Sequence, residues 1–260
     1  MTPNSALLKL RDNSPLVHCI TNYVAMNIAA NVTLAAGASP AMIHAPEEVA
    51  DFSPIASALT INIGTLSAPW VESMKAAAIA ANGAEVPWVF DPVAHFATPY
   101  RARVALDLLA LKPTVVRGNA SEIIALAGGA GSGKGADTGD SVRDAENAAQ
   151  TLAAGHDCVV AVSGPVDFIT DGARSARITG GSELMPKVTA LGCSLTALVG
   201  AYCAVAPSLD ATIAAFLHFA EAGERAGADA GGPGSFSVAF LDMLHTLQPG
   251  DLDEMRVSWN

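Results

Sequence analysis

Val188-Thr189-Ala190-Leu191-Gly192-Cys193-Ser194-Leu195-Thr196-Ala197-Leu198-Val199-Gly200 runs from a small-residue turn straight into a long apolar helix. The start of such a helix offers unpaired backbone N–H groups and the positive end of a dipole, which suits an anion, phosphate above all. Gly192 lets a ligand approach the backbone closely, and a cysteine in the first turn is biased toward thiolate by the same field. Cys193 is therefore a candidate site residue. The same letters also suit a small hydrophobe buried on a core helix.

Outward from this helix, short β-branched runs alternate with alanine-rich helical patterns, the signature of a mainly parallel sheet with helices on its faces. No linker, repeat or low-complexity tract interrupts the alternation, so residues 1–260 are expected to form a single α/β domain. The first strand is Leu16 to Ile20, with Asn22 placed to cap a helix that runs to Gly37. Strands follow at Ser39–His44, Leu59–Gly64, Val86–Phe90, Thr114–Arg117 and Cys158–Val162. Pro46, Glu47 and Glu48 have the composition of a helix first turn. Asp167 to Thr179 reads as a hairpin turning at Asp171-Gly172, in position to cover the adenine of a neighbouring nucleotide.

Composition narrows the partners. With 51% hydrophobic residues the chain has material for an extensive core, and a net charge of −11 argues against nucleic acid or an anionic membrane as partner. The four cysteines, at 19, 158, 193 and 203, have no C-x-x-C spacing and no secretory start precedes them, which points to the cytoplasm. The longest apolar run, Leu195 to Pro207, is too short and too interrupted to span a bilayer.

In open α/β sheets ligands gather outside the carboxyl ends of the strands, and several polar residues stand there. Asp91, before Pro92, is placed to bind a metal or its waters, although a strand-terminal Asp-Pro is also an ordinary turn. Arg117 and Glu122 share that rim. An arginine grips phosphate oxygens and a carboxylate holds Mg²⁺ through water, while a capped helix with a surface ion pair explains the same letters. Gly128 to Gly135 imitates a phosphate loop, but Gly135 stands where the Mg²⁺-binding hydroxyl belongs and a helix precedes the stretch; it reads as a glycine-rich surface loop.

Several uncommon words, in order, resemble one family along nearly the whole chain: P-L-V-H-C-I-T-N-Y-V from Pro15, G-A-S-P-A-M at 37–42, N-I-G-T-L at 62–66, D-P-V at 91–93, V-V-R-G-N-A-S-E-I at 115–123, V-S-G-P-V-D at 162–167, G-C at 192–193 and G-P-G-S-F at 232–236. The chain is similar to the hydroxyethylthiazole kinase family of the ribokinase-like superfamily. That resemblance implies a three-layer α/β/α fold with a mainly parallel central sheet. It also implies transfer of a phosphoryl group from ATP, with Mg²⁺, to the primary hydroxyl of 4-methyl-5-(2-hydroxyethyl)thiazole for thiamine salvage. By position, Met42 would touch the thiazole and Ala190 would line the substrate side of an anion hole formed at Gly192 and Cys193. Arg117 and Ser163 would contact ATP, Asp91 and Glu122 would organise Mg²⁺, and the thiol of Cys193 takes the place of the superfamily's aspartate base. The resemblance further implies a homotrimer with interfacial active sites.

Two positions depart from the family pattern. Ala190 replaces a glycine, and is strained if its φ is positive. Ser163 replaces a threonine, keeping the hydroxyl and losing a methyl contact. A pyrimidine-alcohol kinase or an ATP-dependent dehydratase on the same fold would be expected to carry an acidic residue at 193, and a silent nucleotide-binding protein would be favoured if Ala190 closed the hole.

Overall fold

Strands buried on both faces need a layer of helices on each side. The computed structural model describes residues 1–129 and 142–260. Among the described residues, β1 (Leu16–Ile20), β2 (Ser39–Ala41), β3 (Ala58–Asn62), β4 (Trp88–Asp91), β5 (Val115–Asn119) and β6 (Val159–Ser163) pair in parallel. The antiparallel strands β7 (Val166–Thr170), β8 (Ser175–Thr179) and β9 (Val257–Trp259) extend the sheet, whose order is β2-β1-β3-β4-β5-β6-β7-β8-β9. The strand order reverses at β1, so a crevice opens between the carboxyl ends of β1 and β3.

The side chains of each strand divide between two cores. Val17, Val89 and Val115 join one, with Leu198, Tyr202, Phe216 and Phe240. Ile20, Phe90 and Val116 join the other, with Met74, Leu108 and Ile123. The first core is closed by α1 (Pro3–Asn13), α2 (Met26–Ala36), α8 (Leu191–Cys203), α9 (Ser208–Ala228) and α10 (Pro233–Thr246). The second lies under α3 (Val49–Phe52), α4 (Ala68–Gly83), α5 (Pro99–Leu109), α6 (Ala120–Leu126) and α7 (Val142–His156). This is the three-layer α/β/α arrangement with a mainly parallel sheet.

The central helix α8 is buried on every side from Ser194 to Cys203. It reaches the sheet because Gly200 lies directly on Thr60 of β3, where a side-chain carbon would collide with the threonine methyl. Overpacking of that kind costs about 1–3 kcal/mol.

Local chemistry accounts for several ends. Thr2 accepts the Ser5 N–H and Pro3 opens α1, while α2 stops at Gly37, whose φ of 108° lets its N–H reach back to Leu34 and Thr33. The expected strand at Ser39–His44 is shorter, because the buried His18 ring holds the Ile43 carbonyl at 2.7 Å and draws the chain out of the ladder after Ala41. Pro46 to Glu48 form a turn ahead of α3, and α3 itself passes into a 3₁₀ turn at Ser53–Ile55, which contains Pro54. The Asp167–Thr179 hairpin is β7 and β8. The Gly128–Gly135 stretch lies outside the described residues from Ala130 onward.

Candidate active site

The parallel strands deliver polar residues to one rim. Register places Asn62 beside Asp91 at the ends of β3 and β4, and Asn119 beside Ser163 at the ends of β5 and β6. The N-terminus of α8 lies over this rim, and Thr196, one turn beyond Cys193 on the same helix face, reaches down to it.

Asp91 is fully buried. Its Oδ2 accepts from Asn62 Nδ2 at 2.8 Å and Thr196 Oγ1 at 2.7 Å, and stands 3.6 Å from Arg117 Nη1; its Oδ1 has no hydrogen-bond partner among the described residues. Burial lifts this carboxyl above its ordinary value, opposed first by the Arg117 charge and then by the hydrogen bonds. Arg117 is itself buried, and its Nη2 donates to Ser163 Oγ at 2.6 Å. A side-chain carbon added at Gly192 would stand 3.3 Å from that same Nη2. A side chain at Gly192 would therefore press on the arginine head, which would have to yield by a few tenths of an ångström.

Ala190 caps α8 with φ 59° and ψ 11°, the left-handed region that glycine occupies without strain. The strain expected of alanine here is present. The first turn of α8 keeps free donors: Ser194 N–H goes to the Ala190 carbonyl at 3.0 Å, whereas among the described residues no backbone carbonyl accepts from Gly192 or Cys193.

The expectation that Cys193 tends toward thiolate is overturned. The thiol is pushed up to about 11, first by burial and second by the negative charge of Asp91, against the nearby asparagine amides and the Arg117 charge. Asn22 Nδ2 lies 3.5 Å from the sulfur.

Glu122 is bound into the start of α6. Its Oε2 accepts the Asn119 N–H at 2.8 Å while Asn119 accepts the Glu122 N–H, a capping box, and its Oε1 accepts the Ala94 N–H at 2.9 Å. Burial and then the charge of Asp91 raise its carboxyl. The helix cap in these letters is therefore present, but the surface ion pair is not: Arg117 and Glu122 are buried, and Arg117 faces the buried Asp91. Met42 follows β2, half-buried against the core that contains α8.

Sequence reasoning passed over four contributors. Asn22 does not cap α2, whose N-cap is Ala25 without a side-chain bond, because its oxygen is taken by the Val24 and Ala25 N–H groups of the turn before the helix; its NH₂ instead reaches Asn62. Asn62 and Thr196 hold Asp91, and Arg101 of α5 donates to the carbonyls of Ile63, Val93 and Gly64, tying together the loops after β3 and β4. Position at a strand end marked Asn62, and spacing of three residues from Cys193 on a helix marked Thr196. Arg101 carried no local signal.

Residues 7–250 match the family model described as the hydroxyethylthiazole kinase family. A hydroxyethylthiazole kinase of Roseobacter denitrificans is 62% identical over 255 residues, which cover 98% of this chain and 99% of that one. A solved structure of hydroxyethylthiazole kinase from Pyrococcus horikoshii superposes with a TM-score of 0.91 at 39% identity, covering 99% of this chain and 98% of that one. A ribokinase-like superfamily protein of Enterococcus faecalis shares the fold, with a TM-score of 0.65 at 12% identity over 95% of this chain and 89% of its own.

Proposed function

This chain belongs to the hydroxyethylthiazole kinase family, and we propose that it moves the γ-phosphoryl group of ATP onto the primary hydroxyl of 4-methyl-5-(2-hydroxyethyl)thiazole at the rim beneath α8. The observation that carries this reading is the pairing of two unaccepted N–H groups, at Gly192 and Cys193, with the buried Arg117 guanidinium directly under them. Phosphoryl transfer passes through a loose transition state in most analyses, so positioning and charge stabilisation count for more than proton removal. Such a fixed positive field is suited to the transferring group. The Cys193 thiol, pushed up to about 11, is a late proton acceptor or a positioning group.

Arg117 and Ser163 are assigned to the ATP side, and Met42 and Ala190 to the thiazole side. Asp91 and Glu122 suit Mg²⁺ held through its waters: Asp91 Oδ1 is a buried acceptor without a partner among the described residues, and each Glu122 oxygen retains a lone pair beyond its backbone N–H. Among the described residues no group of three or more acidic, cysteine or histidine side chains forms a direct cage. When bound, the ion would neutralise charge on the β- and γ-phosphates.

A homotrimer with sites between subunits is supported by Tyr23 and Val24, which are 64% and 57% exposed immediately after Asn22, an apolar surface at the mouth of the site that a second copy would cover. Four free cysteines accord with the reducing cytoplasm, and no described helix is long and apolar enough to cross a membrane.

The test is coupled ADP release with the thiazole alcohol, with pyrimidine alcohols and with no acceptor. The proposal expects ADP release only with the thiazole alcohol and only with Mg²⁺. Preference for a pyrimidine alcohol, or ADP release independent of any acceptor, would overturn it.

A further inference from the structure

A chain of amides runs across the crevice between β1 and β3, and its direction is fixed from outside. The oxygen of Asn22 accepts the backbone N–H groups of Val24 at 3.1 Å and Ala25 at 2.9 Å, so its NH₂ must face the other way. There it donates to Asn62 Oδ1 at 2.8 Å and points at Cys193 Sγ at 3.5 Å. Asn62 Oδ1 also accepts the Gly64 N–H at 2.9 Å, which turns the Asn62 NH₂ toward Asp91 Oδ2. Room for this arrangement comes from Gly64, where a side-chain carbon would stand 2.6 Å from Asn22 Nδ2. Both asparagines are buried.

We propose that Asn22 and Asn62 are positioning residues for the transfer, a one-way ladder of amide donors that presents N–H to Cys193 Sγ and to Asp91 Oδ2 and so holds both as acceptors. This rests on the reading of Cys193 and Asp91 as members of the kinase site. The ladder atom shown against the sulfur, Asn22 Nδ2, is a donor, so the thiol proton finds no acceptor in it and is directed toward the open side of the site. The same donors stabilise negative charge on sulfur when it forms, against the burial and the Asp91 charge that oppose it.

Asn22→Asp separates this role from simple turn capping. An aspartate caps the Val24 and Ala25 N–H groups as well as asparagine does, but replaces the donor at the sulfur by a negatively charged acceptor. Cys193 alkylation by iodoacetamide, read on its own peptide by mass spectrometry, is expected to slow about 10-fold or more, the effect of one unit in thiol pKa. In the same variant kcat is expected to fall with the KM for ATP unchanged. Asn22→Ser keeps a cap oxygen and removes the donor without adding charge; it is expected to slow alkylation by a smaller factor, and decides the matter should Asn22→Asp not fold. Wild-type alkylation rates in either folded variant would overturn the ladder, as would slowed alkylation with unchanged kcat. A wild-type protein that ignores the thiazole alcohol, yet shows the alkylation differences, would sink the kinase reading and leave the ladder's orientation of the thiol standing.

Discussion

Replacing Ala190 by glycine should stabilise the protein, against the usual direction for glycine at a helix. The residue sits at φ 59° and ψ 11°, and no side-chain hydrogen bond caps the helix there. Holding an L-residue in this region costs about 1–2 kcal/mol, whereas glycine accepts it freely but adds roughly 0.4–1 kcal/mol of unfolded-state entropy. The central values leave a net gain of about 0.8 kcal/mol. At about 2.1 cal/mol/K per residue, unfolding a chain of this length has an entropy of about 0.5 kcal/mol/K, so the expected rise in Tm is about 1–2 °C. Differential scanning calorimetry on the assembled protein measures it, with turnover recorded alongside. The Ser194 N–H bond to the Ala190 carbonyl sets the geometry of the helix start and does not involve the methyl group, so kcat should hold. A lower Tm would refute the strain argument and show that the methyl group contributes packing that outweighs it.

Glu122→Gln should lose both an ion site and a cap: an amide offers one oxygen where two backbone N–H groups are accepted, so stability falls by about 1–2 kcal/mol and activity at limiting Mg²⁺ by about 10- to 100-fold. Unchanged melting contradicts the cap, and full activity at limiting Mg²⁺ contradicts the metal role. Met42→Ala should raise KM for the thiazole alcohol by the equivalent of about 1–3 kcal/mol, with KM for ATP unchanged; equal rises would mean a core role instead. His218, fully buried between Tyr202 and the Leu244 carbonyl, is driven down to about 3 by burial. Its folded pKa is below the unfolded value, so the unfolded chain binds the proton first and stability is lost as pH falls from 6.5 toward 3. Urea unfolding at pH 7 and about pH 4.5 should show roughly 3 kcal/mol of acid loss that His218→Gln lacks, and equal losses in both proteins would contradict it.

Much of the sheet was legible because the parallel strands announce themselves by unbroken β-branched runs. Leu16 to Ile20 is β1 to the residue, and the Asp91 and Ser163 ends fall on one rim as the strand pattern requires, whereas the strand expected to end at Arg117 runs on to Asn119. The polar network was not legible, since Asn62 and Thr196 meet Asp91 across 29 and 105 residues of sequence. The Cys193 thiol failed for a related reason. A helix start can be read locally, but the burial and the neighbouring carboxylate that raise the thiol are assembled by the fold. Gly192 was read as space for a ligand, and only the position of Arg117 reveals what occupies the space beneath it.

The most direct measurement compares single-turnover rates of Gly192→Val and Cys193→Ala, each confirmed to assemble as the wild type does. If the positive field beneath α8 drives the transfer, Cys193→Ala retains both N–H donors and loses only about 10²- to 10⁴-fold, the range for one acid–base group. Gly192→Val forces a branched side chain onto the Arg117 guanidinium, displaces it from Ser163 and Asp91, and is expected to be the slower of the two. Faster turnover in Gly192→Val than in Cys193→Ala would contradict the electrostatic account and make the thiol the principal agent.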